Sequence, residues 1–319
     1  MMIVEGKTEK KPGPKPIVPA YKTKLGSCLH GKCEEVIQRT GFRRYYGNVQ
    51  LVFFSPPYPL NRKKKYGNLN GEEYTNWLAS YAKNFRDLLT KDGSIVIELG
   101  NCWESGSPSM STLALEALLA FKKAGDFNLC QQFICDNPAR LPSPAQWVTI
   151  ERIRVKDSYT NVWWFSKCPK PKADNRKVLK EYSESMRSLL KKKKFNAGRR
   201  PSEHIVSEEG FTKNNKGSIP SNVLSFANTR SIDPYFDFCK EKQIPYHPAR
   251  MPAQLADFFV RFLTDEGDLV LDPFGGSNTT GSVCEKLKRH WVTIEANRSY
   301  IDGSVGRFHN QNNLKQYEY

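Results

Sequence analysis

The chain has 319 residues, 39% of them hydrophobic, with 14 tyrosines and 18 phenylalanines, enough to bury a core as one large α/β domain or two smaller ones. Forty-nine basic against 33 acidic residues leave a net charge of +16, which favours a polyanionic partner, most simply nucleic acid. No long apolar run, signal peptide or amphipathic basic helix points to a membrane. The eight scattered cysteines do not form a disulfide framework and suit a reducing cytoplasm.

In chain order, residues 1–20 are rich in lysine and proline and read as a mobile basic arm. "CLHGKC" places Cys28, His30 and Cys33 close together, but no second ligand pair follows at zinc spacing, so no metal site is predicted. "VQLVFF" predicts a short buried strand ending at Ser55. It runs into Ser55-Pro56-Pro57-Tyr58 and then into Arg62, Lys63, Lys64 and Lys65, a rigid turn followed by an aromatic and a positive cluster. Tyr74, Trp77, Leu78, Tyr81, Phe85 and Leu88 recur at three and four, which predicts one amphipathic helix closed by Asp92-Gly93. "SIVIELG" is the next strand, with Glu98 near its end, either close to a site at that end of the sheet or simply a strand-end carboxylate. A helix over 111–124 and strands over 128–135 and 161–166 complete an alternation typical of an α/β sheet.

From 168 to about 235 the composition shifts to lysine and arginine runs with Ser, Asn and Gly and weak periodicity, an insertion or a small domain carrying positive charge on loops. The α/β pattern returns with a helix at "PAQLADFFVRFLT". After it, "DLVLDPFGGSNTTG" predicts a strand ending at Asp272, a tight turn through Gly275 and Gly276, and a helix starting near Thr279. The following strand, "HWVTIE", ends at Glu295, about 20 positions after the loop, where an acid can accept hydrogen bonds from ribose hydroxyls. The loop is neither G-x-G-x-x-G nor a Walker sequence, so a dinucleotide or a nucleoside triphosphate is disfavoured. S-adenosylmethionine, which has ribose and an amino acid but no pyrophosphate, fits better.

In this order and spacing, "SPPY" with its basic tail and "DPFGGSNTTG" preceded by "HPARMPAQLADFFVRFL" resemble the amino-methylating DNA methyltransferases of the β-arrangement, in which the catalytic tetrapeptide comes early and the cofactor loop late. The resemblance is strongest to type II N4-cytosine enzymes and extends from about residue 25 through "LPSPAQWV", "RIRVKDSYTNVWWFSK" and "GSIP". It implies a Rossmann-like S-adenosylmethionine-dependent methyltransferase fold with circularly permuted motif order: a catalytic half at 21–167, a target-recognition region at 168–240 and a cofactor-binding half at 241–319.

The implied activity is methyl transfer to cytosine N4 in double-stranded DNA, by base flipping and direct in-line transfer, without a metal. The enzyme would work as a cytoplasmic, nucleoid-associated monomer and would protect host DNA from a cognate restriction endonuclease with which it forms no stable complex. Ser55, Pro56, Pro57 and Tyr58 would hold the base, and Arg62 to Lys65 the adjoining phosphates. His247, Pro248, Ala249, Asp272, Phe274, Gly275, Gly276, Ser277, Thr279, Thr280 and Glu295 would hold the cofactor. One departure stands out: relatives often carry Gly-Asp-Ser before the catalytic strand, with the acid near adenine, and here "HGKCEEV" puts Lys32 at that position, so that either Glu34 or Glu35 substitutes or adenine contacts are partly lost. N6-adenine methylation and a catalytically silent DNA-binding relative remain open, whereas C5 methylation lacks its Pro-Cys pair near the site.

Overall fold

A computed structural model of the chain describes residues 17–58, 71–193, 197–206, 213–227, 233–308 and 315–316. The predicted phosphate contacts Arg62, Lys63, Lys64 and Lys65 and most of the basic arm lie outside the described residues. Among the described residues, ten strands form the main sheet: β1 (Pro19–Lys22), β2 (Gly26–His30), β3 (Val49–Phe54), β4 (Leu89–Gly100), β5 (Asn128–Asp136), β6 (Tyr159–Ser166), β7 (Val223–Ser225), β8 (Leu269–Asp272), β9 (His290–Glu295) and β10 (Lys315–Gln316). Their order is β7-β5-β6-β4-β3-β8-β9-β2-β1-β10. From β4 through β3, β8 and β9 to β2 every pair is parallel, and β6 runs antiparallel to both β4 and β5. The first two residues of β1 close the stretch read as a basic arm, and both Ala20 and Tyr21 are buried.

The central strands are apolar on both faces, as parallel strands covered by helices must be. In β3, Val49, Val52 and Phe54 enter one core, while Leu51 and Phe53 enter the other. The first core is roofed by α1 (Gly71–Ser80), α2 (Ala82–Leu88) and α3 (Leu113–Ala124), through side chains such as Tyr74, Phe85 and Phe121. On the far side of an excursion containing α4 (Glu184–Lys192), the chain supplies α5 (Ala253–Leu263) and α6 (Thr279–Lys286). These two roof the second core through Leu255, Phe259 and Cys284. Cutting back one such fully buried aromatic, Phe54 for example, costs about 3–5 kcal/mol.

Two predicted elements differ. The single helix expected up to Asp92-Gly93 breaks at Tyr81, and β4 begins directly at Leu89, well before that pair. Leu88 and Leu89 are both fully buried, and Leu89 pairs with Val49 before a register shift, so burial pulls the chain into the sheet ahead of its glycine. The region read as basic loops contains α4, capped by the Ser183 hydroxyl. Its apolar stripe, Met186, Leu189 and Leu190, is short and only half-buried, and it ends in a lysine run, so the basic composition around it masked the helical spacing.

The permuted strand order is what assembles the cleft. β3 and β8 are direct neighbours, with Val52 opposite Leu271, so the turns leaving their carboxyl ends meet although Ser55 and Asp272 are far apart in the chain. Phe274 fixes the contact: its ring packs 5.5 Å from Phe54, 5.6 Å from Trp77 and 5.7 Å from Tyr81.

Candidate active site

The turns leaving β2, β3, β8 and β9 enclose a cleft of about 320 Å³, near the lower bound for small-molecule sites. Ser55, Pro56, Pro57 and Tyr58 line one side. Asp272, Phe274, Gly275, Gly276, Ser277, Thr279, Thr280 and Glu295 line the other, with His247 and Ala249. Pro248 is not part of the wall. Sequence reasoning did not assign Trp77, Arg250, Met251 and Tyr300 to the site: Trp77 reads only as part of a helix's apolar face, Arg250 and Met251 follow His247–Ala249 in "HPARMPAQLADFFVRFL", and Tyr300 lies on the helix after β9.

On the β3 side, the Ser55 hydroxyl donates to the Tyr58 hydroxyl at 3.3 Å. Tyr58 in turn hydrogen-bonds the buried carboxylate of Glu98 on β4, and burial with that neighbouring charge pushes the phenol well above its usual range. The phenol therefore stays protonated. The arrangement depends on Gly100, where an added Cβ would lie 2.4 Å from the Tyr58 ring. Serine at 55 thus has its proton committed, leaving its oxygen lone pairs to accept from a ligand.

The β8 loop is fixed from within. Asp272 accepts from the Phe274 amide at 3.0 Å and from the Thr280 hydroxyl at 2.6 Å. Gly276 sits at φ +50, a conformation glycine adopts freely, and a Cβ there would approach the His247 imidazole to 3.0 Å. Its amide donates to Glu295 at 2.8 Å, and the Asn297 amide donates to the other Glu295 oxygen at 2.7 Å. Arg307, which sequence reasoning did not reach, grips the Ser277 carbonyl at 2.5 Å and its hydroxyl at 3.0 Å. Arg307 is itself paired with Asp233, which also meets Arg250.

Of the two acids that follow Lys32, one reaches the cleft. Both Lys32 and Glu34 line the cleft; Glu35 does not. Glu34 is held there by the Tyr81 hydroxyl at 2.7 Å. The thiols of "CLHGKC" turn into the protein: Cys28 and Cys33 are buried, and burial pushes Cys28 up to about 12.

Burial also raises Asp272 from the usual carboxylate range to about 7, against the pull of its two hydrogen bonds. The native state therefore keeps a proton that the unfolded chain has already lost. This contribution to stability is fully present below about pH 4 and disappears as pH rises through 7. Between pH 5 and 8 the wild-type protein should lose about 3 kcal/mol more than Asp272→Asn in denaturant titrations. Parallel losses in the two proteins would show that Asp272 does not titrate there.

An open sheet of this order, with a glycine loop on β8, an acid ending β9 and a proline turn on the adjacent β3, defines an S-adenosylmethionine-dependent methyltransferase fold. M1.HpyAVI, solved with S-adenosylmethionine, shares this fold with a TM-score of 0.53 at 16% identity, over 89% of this chain and 99% of that one. More specifically, the chain belongs to the DNA methylase family, whose model matches residues 49–305. Among its relatives, the type II methyltransferase M.PvuII of Proteus hauseri is 42% identical over 296 residues, 92% of this chain and 87% of that protein. M.BglII of Bacillus subtilis is 26% identical over 80% of this chain and 62% of its own length. A solved PvuII DNA methyltransferase, described as cytosine-N4-specific, superposes with a TM-score of 0.74 and 37% identity, over 94% of this chain and 92% of that one.

Proposed function

We propose that this chain transfers a methyl group from S-adenosylmethionine to the N4 amino group of cytosine in double-stranded DNA. The observation that carries this reading is the meeting of the Ser55–Tyr58 turn and the Asp272–Gly276 loop in one cleft across adjacent strands. The choice of cytosine rests on the likeness to the cytosine-N4-specific PvuII enzyme.

The residues present fit the cofactor. The cradle at Gly276 is one that a Cβ would fill, and each Glu295 oxygen, already accepting one backbone N–H, keeps acceptor capacity for a ribose hydroxyl. Asp272 lies where the methionine end would sit, and a cationic ligand there would favour its carboxylate. Glu34 would serve the adenine side in place of the missing acid. The bound cofactor supplies an electrophilic methyl on a sulfonium.

The protein's part is mostly positioning. A cytosine amino nitrogen is a poor nucleophile because its lone pair is delocalised into the ring. With its own proton directed at Tyr58, the Ser55 oxygen would accept from that amino group, and the Pro56 carbonyl would take the second N–H. Together they would favour a pyramidal nitrogen. Proline at 56 offers no competing N–H and a fixed φ, and Tyr58 lines the slot in which an extruded base would lie. Such a transfer requires no metal, because the sulfonium already activates the methyl.

In this reading the recognition of sequence falls to 168–240, and the enzyme acts as a cytoplasmic, nucleoid-associated monomer. It protects DNA from a restriction endonuclease that it does not stably bind. The test is incubation of DNA with labelled cofactor and analysis of the nucleosides. N4-methylcytosine is the expected product; N6-methyladenine would overturn the choice of base, and no transfer would leave a silent DNA-binding relative.

A further inference from the structure

The excursion joining β5 to β6, "NPARLPSPAQWVTIERIRVKDS" over 137–158, is larger and more apolar at its surface than a hairpin connection needs to be. Leu141, Ile150, Ile153 and Val155 are 80%, 68%, 59% and 85% exposed. Single exposed aliphatics are ordinary, but four on one excursion are not. The segment is also built rather than loose. The Asn137 amide closes its base on the Ser158 carbonyl at 2.7 Å. The Lys156 ammonium donates to the Pro138 and Arg140 carbonyls at 3.1 and 3.2 Å. The Arg154 guanidinium lies 3.6 Å over the Trp103 ring and donates to the Pro108 carbonyl.

Its placement ties it to the site. Asp136 pairs with Tyr159 where the excursion leaves the sheet, and the next residue, Thr160, pairs with Gly100, the residue against which the Tyr58 ring lies. The excursion therefore rises beside the catalytic turn, at the same sheet edge. Arg140, Arg152, Arg154 and Lys156 outnumber Glu151 and Asp157, and Asp157 faces Arg154 and Arg140. A positive, aliphatic-tipped, preorganised arm next to a slot for an extruded base matches duplex DNA better than it matches another protein surface.

We propose that residues 137–158 form a DNA arm whose aliphatic side chains press into the base stack where the target base leaves, while its cations meet the flanking phosphates. The arm rests on the reading of the chain as a DNA methyltransferase and goes beyond it by assigning the contact. Aliphatic wedges that support unstacked steps are a general device of DNA-bending and base-extruding proteins, and the unpaired state they support is easier to reach when the target base is already mismatched.

The test uses the full chain carrying Leu141→Ser, Ile150→Ser and Val155→Ser together, at positions exposed enough to leave folding intact; unchanged cofactor binding and melting check this. On a fully paired duplex, kcat/KM should fall about tenfold or more, and on a duplex with the target base mismatched it should recover to within about threefold of wild type. Arg152→Ala should lower the salt slope of duplex binding by about one contact. Equal loss on paired and mismatched duplexes, or no loss on either, would overturn the wedge. A shift from dimer to monomer in sedimentation would overturn it too, in favour of a second copy of the chain. Duplex binding, read by anisotropy, separates this outcome from failure of the methyl-transfer reading itself, which would abolish product in the wild-type protein while leaving the binding comparison intact.

Discussion

Ser55→Ala should cut turnover by roughly 100- to 1000-fold while leaving the dissociation constant for S-adenosylmethionine unchanged. The asymmetry follows from geometry. Ser55 hydrogen-bonds Tyr58, not the β8 loop, and the contacts that fix the cofactor side through Asp272 and Glu295 are internal to β8, β9 and their turns. Alanine keeps the turn, the Pro56 carbonyl and the cleft shape, and removes one acceptor at the amino group. Tyr58→Phe should be milder for the chemistry, since Ser55 keeps its oxygen, but it strips the buried Glu98 of a donor and should lower stability by about 1–3 kcal/mol. Single-turnover kinetics with saturating DNA, alongside equilibrium cofactor titration, separates the two effects. Equal changes in turnover and cofactor affinity for Ser55→Ala would remove Ser55 from its role.

Which parts of this site could be read in the sequence depended on the range of the signal. The strand before Ser55 was legible because five of the six residues of β3 are apolar and β-favouring, with Gln50 alone interrupting them, and all six are buried. The β8 loop was legible because its two glycines and the acid at Glu295 belong to one βαβ unit, where spacing in sequence is spacing in space. Their meeting was legible only through a resemblance in motif order; no local pattern announces that β3 and β8 pair. The support around the site was hidden for the same reason. Gly100 meets Tyr58 across a strand boundary, and Arg307 reaches Ser277 from beyond the next βα unit; Glu98 could be placed near the site from its position at a strand end, but its bond to Tyr58 could not. The break at Tyr81 has no proline or glycine to mark it, and its hydroxyl, holding Glu34, is what supplies an acid near Lys32.

Glu295→Ala should weaken cofactor binding by about 100-fold or more, because hydrogen bonds to a charged acceptor are worth roughly 1.5–3 kcal/mol each and two ribose hydroxyls are at stake. The loss alone would be ambiguous. Glu295 also holds the Gly276 and Asn297 amides, so its removal loosens the loop as well as the ligand. A double comparison resolves this. If Glu295 accepts from the ribose, a 2′-deoxy analogue of S-adenosylhomocysteine should bind wild type about tenfold more weakly than the parent compound, and the two should bind Glu295→Ala alike. If the deoxy analogue loses the same factor in both proteins, Glu295 is a loop anchor and the ribose is held elsewhere. Burial lifts the Glu295 carboxyl while its backbone donors oppose that lift. Ribose hydroxyls would add donors on the same side, and cofactor binding should therefore stabilise the carboxylate form that the loop already favours.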